Sequence, residues 1–220
     1  MKRVLELTED GSHTLYLPEL DEHFHSIHGA VQESMHVFIS NGLNRCKQTE
    51  IHLLEIGFGT GLNALLTLLH RREKNIRYYS LEKYPLTEEE FRRLNYAQNY
   101  PAEIQTLFLE MHQCPWGQQV EITSNFELTK LNCDLRTVDL SELPVFDLVY
   151  FDAFAPGKQP DMWTDVIFEK ISRQCKPGAI ITTYCAKGDI RRSLQKNSFA
   201  MQRLPGPPGK REMLYGEKDC

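Results

Sequence analysis

Leu53-Leu-Glu-Ile-Gly-Phe-Gly-Thr-Gly-Leu-Asn63 is the stretch from which the rest of the chain can be read. The apolar run Ile51 to Ile56 reads as a short buried strand, and Leu62 to Leu69 reads as a helix. Between them stand Gly57, Gly59 and Gly61 at alternate positions. Glycines are needed where a strand turns sharply into a helix and a ligand must touch the backbone, because a Cβ would block both. The helix start offers unpaired N–H groups to an anionic or strongly polar ligand group. A glycine triplet alone marks only a turn. Here the next apolar run, Arg77 to Glu82, closes on an acid. An acid about 20 residues past such a loop is where nucleotide-binding sheets grip a ribose diol. The stretch therefore reads as a nucleoside-cofactor site.

Upstream, Val4 to Leu7 and Thr14 to Leu17 alternate as a β-hairpin turning at Asp10-Gly11. A polar and aromatic stretch, Asp21 to Gly29, leads to a helix expected from Ala30 to Asn41 and ended by Gly42. Downstream, Thr87-Glu-Glu-Glu90 is a helix start with a threonine cap and acids in its first turn. The segment around Pro101 and Cys114-Pro-Trp-Gly117 reads as loop-rich. Phe126 to Asp134 and Val145 to Asp152 are two more strands ending on acids. Helix 162–175, strand Ala179 to Tyr184 and helix Asp189 to Lys196 continue the alternation. Phe199 to Leu204 and Glu212 to Tyr215 form an expected terminal antiparallel pair, joined by Pro205-Gly-Pro-Pro-Gly209. Strands alternating with helices, with acids and glycines at strand ends, predict an α/β fold: an open, mostly parallel sheet binding its ligand at those ends. Residues 1–45 are expected to form a hairpin-and-helix extension, and 46–220 the main domain.

Composition bounds the function. At 220 residues the chain can bury one good core, and 41% hydrophobic with 25% charged residues is ordinary for a globular protein. No run approaches the roughly 18 apolar residues of a membrane span, and the first residues lack a signal-peptide core, so a cytoplasmic protein without membrane partners is expected. The six cysteines are scattered and suit reduced thiols. The net charge of −5 hides an asymmetry: Lys176 to Arg211 carries eight Lys/Arg against Asp189 alone, a local +7 that leaves −12 elsewhere. That segment is either a basic patch for an anionic partner or a scattered solvated face.

Glu82, Asp134 and Asp152 close three strands. Strand ends meet solvent and acids are common there, but the glycine loop gives the set a purpose. The remaining length holds no second mononucleotide half, which favours S-adenosylmethionine over a dinucleotide. Glu82 would accept from the ribose hydroxyls and Asp134 from the adenine amino group. The loop (Glu55, Gly57, Phe58, Gly59, Gly61, Asn63) would surround the methionine end, with Lys83 and Ala153 beside the cofactor. Asp152 would lie next to the sulfonium and the incoming nucleophile.

Asp152-Ala-Phe-Ala-Pro-Gly-Lys-Gln-Pro-Asp-Met-Trp163, Glu82-Lys-Tyr-Pro-Leu86, Lys187-Gly-Asp-Ile-Arg-Arg-Ser-Leu194 and Gly209-Lys-Arg-Glu-Met213 add a more specific signal. With the glycine loop, the chain resembles over essentially its whole length the family of methyltransferases that complete 5-methylaminomethyl-2-thiouridine at the tRNA wobble position. That resemblance implies a Rossmann-like class I S-adenosylmethionine-dependent fold and methyl transfer to the amine of 5-aminomethyl-2-thiouridine. Many members are fused to an FAD-dependent oxidoreductase. This chain ends just after Lys210-Arg-Glu-Met-Leu-Tyr-Gly216, and Gly29 to Phe38 is similar to the stand-alone members, so a stand-alone enzyme without FAD is expected.

Under that reading Asp152 is the catalytic candidate, holding the amine and favouring loss of its proton. Phe154, Pro156 and Trp163 are candidates to wall the pocket around the uracil ring, with Trp163 alternatively a core residue opening a helix. Lys158, Lys187, Arg191, Arg192, Lys210 and Arg211 are candidates for tRNA contacts. Glu33 either approaches the substrate amine or is an exposed helix acid. His23, His25 and His28 lack cysteine partners and read as surface or substrate-contacting residues, so no metal is expected. No cysteine is placed with a base, so a covalent uracil adduct is not supported, and an N-methylation does not need one. Two other functions fit the same motifs: a small-molecule amine N-methyltransferase or aminopropyltransferase, and a non-enzymatic RNA-binding module.

Overall fold

The computed structural model describes residues 2–219; Met1 and Cys220 lie outside them. The chain opens with β1 (Val4–Leu7), β2 (His13–Leu17) and the two-residue β3 (Glu22–His23), a three-stranded antiparallel sheet. The β1–β2 turn falls at Asp10-Gly11. Gly11 takes φ +79°, while the Asp10 carboxylate accepts from Thr8 Oγ1 (2.7 Å) and Ser12 N (2.9 Å).

Helix α1 (Ala30–Ser34) runs without a break into π-helical turns over Met35–Leu43. The helix does not end at Gly42. A Cβ there would stand 3.0 Å from the Tyr150 ring, so this glycine lets the helix approach the sheet rather than stopping it. Val37, Phe38, Ile39 and Leu43 are at most 1% exposed, and burial of each contributes about 1.5–3 kcal/mol.

The main body continues as β4 (Glu50–Ile56), α2 (Leu62–His70), β5 (Asn75–Leu81), α3 (Glu88–Arg92) and α4 (Ala102–Gln113). Next come β6 (Gln119–Thr123), β7 (Phe126–Leu131), β8 (Phe146–Phe151), α5 (Asp165–Arg173), β9 (Cys175–Thr183), α6 (Gly188–Lys196), β10 (Phe199–Pro205) and β11 (Glu212–Lys218). Thr87 and Glu90 form a reciprocal capping box at the start of α3. Several boundaries differ from the sequence reading; β9 starts four residues earlier than expected and β11 ends three residues later. The segment read as loop-rich holds α4 and β6. The expected helix 162–175 is a 3₁₀ turn (Pro160–Trp163) followed by the shorter α5. β7 stops at Leu131, three residues short of Asp134.

The eight-stranded sheet runs β10-β11-β9-β8-β4-β5-β7-β6. Its five central strands are parallel, and β10, β11 and β6 run antiparallel to their neighbours. The order reverses between β4 and β8, which opens a crevice at their C-terminal ends. Register then sets the site. Ile56 pairs with both Leu81 and Phe151, so the residues that follow, Gly57, Glu82 and Asp152, leave the sheet side by side. Alternating side chains feed two cores, Leu53, Leu148 and Tyr150 on one face and Leu54, Val149 and Phe151 on the other. The helix over residues 30–43 packs into the first core with α2 and the sheet.

Candidate functional site

A cavity of about 320 Å³ opens at the C-terminal ends of β4, β5, β7 and β8. Gly57, Phe58 and Gly59 form one wall, and Glu82, Asp134 and Asp152 stand around it. Gly57 has φ +95°, and a Cβ there would lie 3.0 Å from the Asp152 carbonyl oxygen. Gly61 starts α2 at φ +71°, where a Cβ would strike His112 Nε2 at 2.8 Å. It therefore serves packing rather than the cavity, which it does not line.

Glu82 is held by backbone. Its Oε2 accepts from Gly59 N (3.0 Å) and its Oε1 from Tyr84 N (2.7 Å), one bond per oxygen. A carboxylate has about four acceptor positions, so both oxygens can still take a diol. Asp134 is placed differently. Arg136 gives Nε and a terminal nitrogen to its carboxylate (2.6 Å at the shortest), the Arg136 backbone N gives a third bond, and Lys83 Nζ lies 3.0 Å away. The Arg136 guanidinium holds this carboxyl well below the usual carboxylate range. Arg136 also reaches Asp161 at 3.2 Å across the cavity rim.

Asp152 receives one side-chain hydrogen bond, from Asn63 Nδ2 to Oδ2 (2.9 Å). Burial and the Glu33 carboxylate push its acid up to about 7, against the pull of Asn63 and Lys210. Glu33 is buried on α1, with Oε2 accepting from Ser26 N (2.8 Å) and Oε1 paired with Lys210 Nζ. The exposed-helix alternative for Glu33 does not hold. Behind the loop, Glu55 is fully buried, accepts from Ser80 Oγ (2.6 Å) and does not line the cavity; burial raises its acid to about 8.

The remaining candidates divide. Ala153, Phe154 and Lys158 line the cavity, and Lys158 pairs with Asp21 at 3.2 Å. Pro156 does not line it. Trp163 is buried against Phe151, Phe168 and Tyr184, and its Nε1 donates to the Phe154 carbonyl (2.7 Å). The structure thus corrects the uracil-packing expectation to the core alternative, with Trp163 bracing the Phe154 backbone. Lys187, Arg191 and Arg192 lie at the start of α6, which follows β9 and so stands on the same edge of the sheet as the cavity. Arg192 and Arg203 converge on Gly188, and Arg211 is exposed on the β10–β11 loop.

The three histidines do not converge. His23 pairs with Glu6, His28 with Glu9, and His25 is buried on Thr60 Oγ1 (2.8 Å), its conjugate acid lowered by burial to about 4. No metal-binding group of three or more such side chains occurs among the described residues. Among them, too, no helix is long and apolar enough to cross a membrane, and the five described cysteines are free.

Several wall residues carried no local signal. Arg3, Leu17 and Phe24, in or beside the N-terminal sheet, close the cavity from outside together with His25, which was read as a surface or substrate-contacting residue and is buried. Arg3 is fixed by Glu90 (2.9 Å) and the Tyr84 carbonyl (2.6 Å). One wall residue was within reach of sequence reasoning, Arg136, two residues from Asp134. Tyr184, which does not line the cavity, follows the fifth parallel strand and bonds the Ala153 carbonyl.

Residues 95–219 match the profile of a family described as S-adenosyl-L-methionine-dependent methyltransferase. The chain is 32% identical over 218 residues to the tRNA 5-methylaminomethyl-2-thiouridine biosynthesis bifunctional protein MnmC of Idiomarina loihiensis, covering 89% of this chain and 35% of that one. The MnmC of Cupriavidus metallidurans is 32% identical over 233 residues, 97% of this chain and 34% of that one. The chain thus spans about a third of the length of these curated relatives. The solved structure of MNMC2 from Aquifex aeolicus superposes with a TM-score of 0.82 at 26% identity, covering 98% of this chain and 69% of that one. Spermidine synthase from Thermotoga maritima, at 11% identity and a TM-score of 0.51, shares the fold alone.

Proposed function

Because the chain belongs to the S-adenosyl-L-methionine-dependent methyltransferase family and takes that cofactor, we propose that it methylates the amine of 5-aminomethyl-2-thiouridine at the tRNA wobble position, giving 5-methylaminomethyl-2-thiouridine. The relatives named for that nucleoside's biosynthesis support the substrate. Asp152 carries the reading: a half-buried carboxylate with a single side-chain hydrogen-bond donor, at the cavity edge beside the glycine loop.

The cavity fits the cofactor. Glu82 keeps an acceptor position on each oxygen for the ribose diol, and a Cβ at Gly57 would crowd the wall beside Asp152. Asp134 does not offer the adenine amino group a free carboxylate, since Arg136 and Lys83 already saturate it. The residues we assign to the cofactor are Gly57, Phe58, Gly59, Glu82 and Ala153, with Asp134 acting through its ion pairs. Bound there, S-adenosylmethionine supplies an electrophilic methyl group on a sulfonium.

The substrate amine arrives protonated, as alkylammonium groups are near pH 7. Asp152 draws it in by charge, accepts one proton and orients the freed lone pair. With the cofactor held by the glycine loop and Glu82, its methyl carbon would be the electrophile for the nitrogen that Asp152 has deprotonated and oriented. An acid near 7 suits this role, since about half of it is ionised near neutral pH and it is a stronger base than an ordinary carboxylate. Asn63 fixes the carboxylate for the transfer. Lys187, Arg191, Arg192, Arg203 and Arg211 would hold tRNA phosphates beside the cavity. Mass analysis of wobble nucleosides, after incubating hypomodified tRNA with the protein and cofactor, tests the proposal. The methylaminomethyl nucleoside is expected. Methylation of a free alkylamine without tRNA would instead identify a small-molecule transferase.

A further inference from the structure

Lys210 stands on the β10–β11 loop, in the basic segment, yet its charge turns inward. Its Nζ pairs with Glu33 Oε1 across 177 positions of sequence and lies 3.9 Å from the centre of the Tyr184 ring. The loop beneath it is docked. His36 Nε2 meets the Pro205 carbonyl at 2.8 Å, and the Gly209 backbone is packed so closely on His28 that a Cβ would not fit. The partners around this ammonium are those of the reaction site. Tyr184 donates its hydroxyl to the Ala153 carbonyl (2.8 Å), next to Asp152. Asn63, 2% exposed, gives Nδ2 to Asp152 and leaves its Oδ1 buried without a partner.

We infer that Glu33, Asp152 and the ring face of Tyr184 form a subsite for the ammonium group of the substrate, and that Lys210 fills it as a stand-in until the substrate takes its place. The inference rests on the amine-methylation reading above. A lysine side chain ends in a primary alkylammonium, the same chemical group as a protonated aminomethyl substituent. A carboxylate together with an aromatic face is what holds such a cation. Glu33 is 5% exposed and would be costly to leave unpaired. Exchanging one ammonium for another keeps it neutralised throughout. The Lys210 side chain is 32% exposed, so it can leave toward solvent or a nearby phosphate without opening the fold. A uridine lacking the amine has nothing to exchange and leaves Lys210 in place, which makes the subsite selective for the amine.

Lys210→Met keeps the stem and removes the ammonium. With cofactor bound, ethylammonium chloride should raise the melting temperature of this variant above that in sodium chloride at equal ionic strength, and should not do so for the unaltered protein. Adding Glu33→Gln to Lys210→Met should abolish the response. The affinity ratio between tRNA with and without the aminomethyl group should rise roughly tenfold in Lys210→Met, as when one charged hydrogen bond is gained. Lys210→Arg keeps the ion pair and serves if the methionine variant does not fold. Its bidentate guanidinium should be harder to displace, raising KM for the aminomethyl tRNA about tenfold while tRNA without the amine binds as before. Equal weakening of both tRNAs with a flatter salt dependence would make Lys210 a phosphate contact and overturn the inference. So would an ethylammonium response absent from the methionine variant. Absence of methyl transfer in the unaltered protein, with the ethylammonium response intact in the variant, would refute the tRNA substrate and leave the subsite standing.

Discussion

Asp134 and Asp152 each follow a parallel strand and read alike in the sequence, yet the fold gives them opposite electrostatics. Asp134 sits on the rim between Arg136 and Lys83, partly exposed, and its acid is pulled well below the ordinary range. Asp152 lies inside, with one amide donor and a second carboxylate nearby, and its acid rises to about 7. Neighbours rather than residue type decide whether a strand-end acid becomes a fixed anion or a proton acceptor. A fixed anion can organise the cation cluster at the cavity mouth, whereas only the perturbed acid can exchange protons near neutral pH.

The largest expected effect follows from removing the proton acceptor. Asp152→Asn keeps the shape and should lower the single-turnover rate by roughly 10²–10⁴-fold, with cofactor affinity within about threefold of normal. The unaltered protein should gain activity as pH rises through about 7, the range in which Asp152 ionises. Near-normal transfer by the asparagine variant at saturating cofactor would remove Asp152 from the chemistry.

Glu82→Ala comes next. It deletes an acceptor whose two oxygens are pre-set by backbone, and cofactor binding should weaken roughly ten- to hundredfold, read by calorimetry. Asp134→Ala should do less, under about tenfold, because its carboxylate is spent on exposed cations and such pairs are weak in water. If the Asp134 variant loses as much affinity as the Glu82 variant, the rim aspartate touches the cofactor after all, and it is not merely a fixed anion of the cavity mouth.

The smallest effect concerns stability. Glu55 and Asp152 have acids raised in the folded state, to about 8 and about 7, above their ordinary values of 4.5 and 3.8. Between those limits the folded protein binds more protons than the unfolded chain, so their contribution is complete in acid and lost as pH rises toward 8. Glu55→Gln stays neutral and should flatten that decline. Its melting temperature should exceed that of the unaltered protein at pH 8.5 by about 2–4 °C for each kcal/mol relieved, with little difference at pH 5. Parallel melting curves across the pH range would show that Glu55 does not titrate on unfolding. His25 and His112, lowered by burial to about 4 and about 3, work in the opposite sense and cost stability as pH falls below 6.5.

The sequence by itself determined the parallel strands, the glycine turn and the acids at their ends, though not the edge strand β6. These follow from local constraints: glycine at positive φ, alternation along a strand, and for Glu82 and Asp152 an acid directly after the last paired residue. Gly42 was read as a helix end, but it lies inside the helix, where its missing Cβ admits the Tyr150 ring; a glycine permits contact as readily as it ends an element. What only the tertiary structure decided was which side chains meet. Trp163 braces the Phe154 backbone from the core, Arg136 closes on Asp134, the N-terminal sheet walls the cavity, and Lys210, expected at a phosphate contact, turns to Glu33. Backbone geometry is fixed over a few residues, whereas a charged side chain selects its partner by burial and distance across the whole fold. For Lys210 that partner lies 177 residues away, beyond any pattern of spacing.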